Sequence, residues 1–304
     1  MATRHFRSLF DVSREELDRL LKSAAALKAA RGAHDRPLEG KSVAVIFEKA
    51  STRTRLSFDV GIHELGAHSV TLMAKDTQMG RGEPLEDTSR MLSGYVHGVV
   101  IRTHGHERLE QLCGASRIPV VNGLTDRYHP CQLLADLQTL RESFDTLADL
   151  QVAWIGDGNN MAHSWAAAAA RAGFTLRLAS PKGYEIDRDV LAQARAEGAS
   201  IVECTSVEEA AKGAHVVTTD VWASMGQEDE VSARKAAFAG FCVDEALMVR
   251  ASKDAVFLHC LPAHRGEEVS AGVLEGPQSR VWDEAENRLH AQKALLAWLL
   301  GEDA

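Results

Sequence analysis

The chain has 304 residues, 45% of them hydrophobic and 25% charged, with a formal net charge of −9. That length exceeds a comfortable single core and fits two domains of about 150 residues, and the apolar content excludes a disordered chain. The acidic balance argues against a nucleic-acid partner, which needs a basic face, so any anion site must rest on a local arginine cluster. The helical and strand patterns then alternate along the whole chain. Ser13 precedes REELDRLLKSAAALKAA, a capped amphipathic helix with Leu17, Leu20, Leu21 and Ala24 on one face. SVAVIF (42–47) is a buried strand, followed by a helix over about 52–65. GVVIRT (98–103) and PVVNGL (119–124) are further strands, and a long helix covers 129–144.

The pattern restarts at QVAWIG (151–156). An alanine-rich helix (161–172) follows, then TLRLAS (175–180), a helix near 187–197, SIVECT (200–205), HVVTTD (215–220), AVFLHCL (255–261) and a last helix over about 284–300. Alternation of this kind predicts an α/β fold of two domains, each a mostly parallel sheet flanked by helices. The expected boundaries are 1–145 and 146–283, with residues 284–304 forming a C-terminal helix that packs back on the first domain. Ligands of such sheets sit beyond the carboxyl ends of the strands, so a cleft between the two domains is the expected site.

Five cysteines (Cys113, Cys131, Cys204, Cys242 and Cys260) form no C-x-x-C pair. Reduced thiols in the cytoplasm fit that pattern better than zinc or disulfides, so no metal is expected. The start of the chain lacks the apolar core of a signal peptide, and no stretch reaches the roughly 18 apolar residues of a membrane span.

Polar clusters stand where the strands end. FEKASTRTR (47–55) joins a strand to a helix start, where unpaired N–H groups and the dipole favour an anion. Ser51, Thr52 and Thr54 add hydroxyls, and Arg53 adds a planar fork suited to phosphate oxygens. The run lacks the Gly-Lys pair of a Walker A loop. Arg102 ends its strand. His129 and Gln132, three apart across Pro130, can face one ligand. GDGNN (156–160) invites the dinucleotide fingerprint, but its third glycine position is Met161 and TLRLAS ends without an acidic ribose partner, which excludes a nicotinamide cofactor. DVWASMG (220–226) offers Asp220 to an ammonium group. HCLPAHRG (259–266) carries Cys260, and ENRLHAQKA (286–294) carries Arg288.

Taken together, STRTR, HPCQ, GDGNN, DVWASMG, HCLP and ENRLHAQKA resemble the aspartate/ornithine carbamoyltransferase family, most closely its ornithine branch, in the family's order and over nearly the whole chain. AGFCVDEALM (239–248) departs from the aromatic, Asn-containing segment usual in that branch. The resemblance implies transfer of the carbamoyl group of carbamoyl phosphate to L-ornithine, giving L-citrulline and phosphate, most often in arginine synthesis. It implies that Ser51, Thr52, Arg53 and Thr54 hold the phosphate and that Gln78 reaches a neighbouring subunit's site. Arg102, His129 and Thr54 would polarise the carbamoyl oxygen, Gln132 would meet the carbamoyl amine, and Arg288 would complete the site. Asn160, Asp220, Ser224 and Met225 would bind ornithine, with Cys260 and Leu261 between the substrates. A homotrimer or a multiple of trimers is implied, with no cofactor. Related alternatives are carbamoylation of putrescine or of an N-acylated ornithine, or a non-catalytic binding role.

Overall fold

A computed structural model describes residues 3–223 and 230–301. The chain divides into two compact units: the first runs to Gln138 and takes the chain back from Glu286, and the second is Thr139–Ala285.

In the first unit the order is α1 (Arg14–Ala29), β1 (Ser42–Phe47), α2 (Arg53–Glu64), β2 (His68–Met73), α3 (Leu85–Tyr95), β3 (Gly98–Arg102), α4 (His106–Ala115), β4 (Val120–Leu124) and α5 (Pro130–Ser143). Ser13 caps α1 through a complete capping box with Glu16. The sheet is wholly parallel, in the order β2-β1-β3-β4. β1 and β3 read as continuous apolar runs because helices cover both faces of a parallel sheet. Ala44, Ile46, Val99, Ile101, Leu109 and Leu112 are buried together in its core. Burying each of the larger of these side chains contributes about 1.5–3 kcal/mol.

The second unit continues with β5 (Gln151–Ile155), α6 (Asn160–Ala172), β6 (Thr175–Ala179), α7 (Arg188–Ala196), β7 (Ser200–Glu203), α8 (Val207–Ala211), β8 (Val216–Thr219), α9 (Val231–Ala237), α10 (Glu245–Met248), β9 (Val256–His259) and α11 (Ala271–Leu274). Its sheet is parallel, in the order β7-β6-β5-β8-β9. Ala153, Ile155, Val217 and Phe257 bury its centre. In the departing segment 239–248, Phe241 packs edge-on against fully buried Phe238, and Val243 bridges to Val269.

The strand orders fix where chemistry can gather. In each sheet the winding direction reverses once: between β1 and β3 in the first, between β5 and β8 in the second. At such a reversal the adjoining loops leave in opposite directions and open a crevice at the carboxyl ends of the strands. The loops there are 48–52 after β1 and the end of β3 at Arg102 in one unit, and GDGNN and Asp220 in the other.

The last helix, α12 (Val281–Leu300), starts three residues earlier than its sequence pattern suggests and enters the first unit at Glu286. Fully buried Lys293 donates to Glu64 Oε2 at 2.6 Å and lies 3.0 Å from His34 Nε2, and Lys28 Nζ donates to Asn287 Oδ1 at 2.8 Å. Burial alone would raise the Glu64 carboxyl; Lys293 and Arg31 outweigh it and hold that carboxyl below its usual range. Among the described residues, no helix is long and apolar enough to cross a membrane.

Candidate active site

The first unit gathers a buried set of cations and hydrogen-bonding groups. β1 delivers the chain to Ser51, whose Oγ accepts from Thr54 N at 3.2 Å and so closes one of the open donors at the start of α2. Thr52 is the N-cap and makes no side-chain cap bond. Glu48 braces the loop from behind: it bonds Arg108 Nη2 at 2.5 Å, Arg108 Nε at 3.0 Å and the Thr103 hydroxyl. Burial pushes the Glu48 carboxyl up, but Arg108 and Thr103 overcome it and hold the group below the usual carboxylate range. Glu48 N also donates to Arg102 O at 2.9 Å, which ties the loop to the end of β3.

Thr54, Arg102, His129, Gln132 and Arg288 are all buried. Arg288 Nη1 donates to Gln132 Oε1 at 2.6 Å, and Nη2 donates to Thr54 Oγ1 at 3.3 Å. Gln132 Nε2 donates to Asp136 Oδ1 at 2.8 Å. A carboxylate accepts and a guanidinium donates, so these two partners fix which way the Gln132 amide faces. Burial, with the positive charges of Arg288, Arg102 and Arg53, holds the His129 imidazole well below the usual histidine range. It is therefore neutral at physiological pH, a form in which one ring nitrogen carries a proton and the other a lone pair. Gln78 stands exposed at the start of a 3-10 turn (Gln78–Arg81), outside this bonded network. Arg55 turns to the outer face of α2, 3.8 Å from Asp59.

The second unit centres on Asp220. Its Oδ1 accepts from Val221 N at 2.8 Å and from Cys260 Sγ at 3.2 Å, and its Oδ2 accepts from Asn159 Nδ2 at 2.9 Å. Asn159 also caps α6, accepting from Met161 N and Ala162 N. It is thus Asn159, absent from the sequence-based set, that joins GDGNN to Asp220; the signal for it was an Asn directly before an apolar helix. Asn160, the expected residue, is the first residue of α6. Gly158 serves packing and not a pyrophosphate, since a Cβ there would lie 2.3 Å from the backbone of Glu185 and Ile186. Ser224 and Met225 lie outside the described residues.

Cys260 and Leu261 leave β9 in a sharp turn. Leu261 has φ 56°, and its N–H donates to His259 Nδ1 at 2.8 Å. His259 Nε2 lies 3.1 Å from Glu268 Oε1, both side chains fully buried. Behind the loop, Arg234 Nη1 donates to Asp157 Oδ2 at 2.8 Å and to Trp222 O at 2.9 Å, and its Nε donates to Glu230 Oε2 at 2.9 Å. Metal-ligand atoms of Asp220, His259 and Cys260 lie within 4.8 Å of one another, as do those of His264, Glu267 and Glu268. Both groups are engaged by the protein's own partners, Asn159 in the first and Lys235 in the second.

Known proteins share both halves. The carbamoyl-P binding domain profile of aspartate/ornithine carbamoyltransferase matches residues 4–142, and the family's Asp/Orn binding domain profile matches residues 148–299. The chain is 56% identical to an ornithine carbamoyltransferase of Halorhodospira halophila over 299 residues, covering 98% of this chain and 99% of that one. Among solved structures, it is similar to the Pyrococcus furiosus ornithine carbamoyltransferase at TM-score 0.94 and 45% identity, over 99% of this chain and 98% of that one. It is also similar to an anabolic ornithine carbamoyltransferase of Campylobacter jejuni, at TM-score 0.92 and 41% identity over 98% and 99% of the two chains. The chain belongs to the aspartate/ornithine carbamoyltransferase family.

Proposed function

We propose that the protein transfers the carbamoyl group of carbamoyl phosphate to the δ-amine of L-ornithine, releasing L-citrulline and phosphate. The observation that carries this reading is the gathering of buried Arg102 and Arg288, with half-buried Arg53, around buried His129 beside the start of α2, in a chain whose overall charge is −9. Such a site suits a small anion with a polar carbonyl group.

Ser51, Thr52, Arg53 and Thr54 hold the phosphate, with Arg288. The neutral δ-amine attacks the carbonyl carbon, the new C–N bond forms, and the bond to the phosphate oxygen breaks, the electron pair leaving with phosphate, which takes up the proton that the amine nitrogen loses. Negative charge that builds on the carbonyl oxygen meets Arg102, His129 and Thr54; fixed donors of this kind are worth about 10²–10³ in rate each. Gln132 Oε1 accepts from the carbamoyl amine through its second lone pair. Asp220, with Asn160, Ser224 and Met225, receives ornithine, while Cys260 and Leu261 meet the reacting group and the incoming amine.

The resemblance implies a homotrimer, and exposed Leu56 and Val60, one turn apart on α2, give apolar surface for a contact between subunits. Exposed Gln78 then serves the phosphate site of a neighbour. The physiological role is cytoplasmic arginine synthesis. A colorimetric citrulline assay with purified protein, carbamoyl phosphate and a panel of amines tests the reading. Saturable turnover of ornithine is expected; turnover of putrescine or N-acylornithine in its place, or no phosphate release with any amine, would overturn it.

A further inference from the structure

Arg288 does not orient itself. Its Nη1 is taken by Gln132 Oε1 and its Nη2 leans on Thr54 Oγ1. One helical turn along α12, fully buried Gln292 faces the same guanidinium. In the amide orientation that satisfies both of its ends, Gln292 Oε1 accepts from Arg288 Nη2 at 2.9 Å and from Arg288 Nε at 3.0 Å, and Nε2 donates to Ser57 Oγ at 2.6 Å. Ser57 Oγ in turn donates to the carbonyl oxygens of Arg53 and Thr54, at 2.8 and 3.3 Å. A single buried amide therefore connects the guanidinium to the backbone turn that carries Arg53 and Thr54.

We infer that Gln292 is a positioning residue for carbamoyl phosphate binding: it aims Arg288 and couples it to the first turn of α2. The inference rests on the proposed role of Arg288. The chemistry of the residue type matters. A carboxylate at 292 would hold the guanidinium equally well but would neutralise the charge needed for phosphate. An apolar residue would leave a buried guanidinium edge without its acceptor, at the desolvation cost of that group. A neutral acceptor orients the charge and leaves it available. Asp136 obeys the same logic at a distance, since it reaches Arg288 through the intervening Gln132 amide.

The test is a double-mutant cycle on the full-length protein. Gln292→Leu, Arg288→Ala and the double variant are assayed by steady-state kinetics against each substrate, with Tm recorded for all. Gln292→Leu is expected to raise KM for carbamoyl phosphate about tenfold, with KM for ornithine within about twofold of wild type. On the Arg288→Ala background the same change should add little, because its target is gone. An unchanged carbamoyl phosphate KM in Gln292→Leu, beside a raised one in Arg288→Ala, would overturn the inference and spare the site. Full additivity, or equal losses against both substrates, would also overturn it. An Arg288→Ala protein with unaltered carbamoyl phosphate KM would instead remove the site reading on which it stands. Should Gln292→Leu fail to fold, Gln292→Met, with an unbranched chain of similar length, carries the same expectations.

Discussion

Cys260 Sγ lies 3.2 Å from Asp220 Oδ1, with the thiol as donor and the carboxylate as acceptor. On the proposed reaction a thiol in that role would direct the incoming amine, whereas covalent attack would require the thiolate. Cys260→Ser, which keeps a donor, should therefore retain more kcat than Cys260→Ala, and no carbamoyl group should become attached to Cys260 during turnover. Intact-protein mass spectrometry of the quenched reaction reads the second point, and a carbamoyl-Cys260 adduct that forms and decays at the turnover rate would refute it.

His129 is held neutral by its burial and by three arginines. Because its folded-state value is lowered, the imidazole stays uncharged as pH falls through the usual histidine range, and its protonation cannot produce an acid limb near 6.5. The expectation for His129→Ala is a fall of about 10²–10³ in kcat, and for His129→Gln, which keeps a donor, a smaller one. A pH profile of kcat/KM with an acid limb near 6.5 that vanishes in His129→Gln would contradict this.

Arg234 and Asp157 form a buried pair. Burial raises the Asp157 carboxyl, and the nearby Arg234 charge only partly offsets that. A raised carboxyl binds its proton more readily in the folded state, so its contribution works against stability as pH rises through its folded value. Removing Arg234 leaves the carboxylate buried without its cation, at about 3–5 kcal/mol. Arg234→Ala should therefore lower Tm strongly at pH 7.5 and by clearly less at pH 5, where protonation relieves the charge. It should also raise KM for ornithine, since Arg234 ties the Trp222 carbonyl, two residues past Asp220, to Asp157 of GDGNN. Equal Tm losses at the two pH values would show that the pair is not what is lost.

Gln78→Ala and Arg53→Ala proteins, each inactive alone, should regain part of the activity when unfolded, mixed and refolded together, because some shared sites then hold both groups. Properly mixed trimers that stay inactive would argue against a site shared between subunits.

The strands flanking both sheet reversals were legible in sequence because each is a short apolar run closed by a polar cluster: SVAVIF before STRTR, QVAWIG before GDGNN. β2 was not, since HSVTLM is an edge strand that is only half-buried and carries no such contrast. Groups expected to touch ligand could be found from residue type at strand ends. Groups that act on other side chains could not. Asp136 and Gln292 sit beside expected site residues, yet the periodicity of their helices says only that they face inward, and Asn159 is marked only as a helix cap. Asn159 meets Asp220 and Gln292 meets Ser57 from far along the chain, and pairing across such separations leaves no local pattern.

Arg288 and Gln132 are bonded across 156 residues of chain, and the whole second unit is made between them. The set that Arg288 completes therefore cannot be assembled from the first half of the chain alone: α12 joins it only after the second unit has been synthesised.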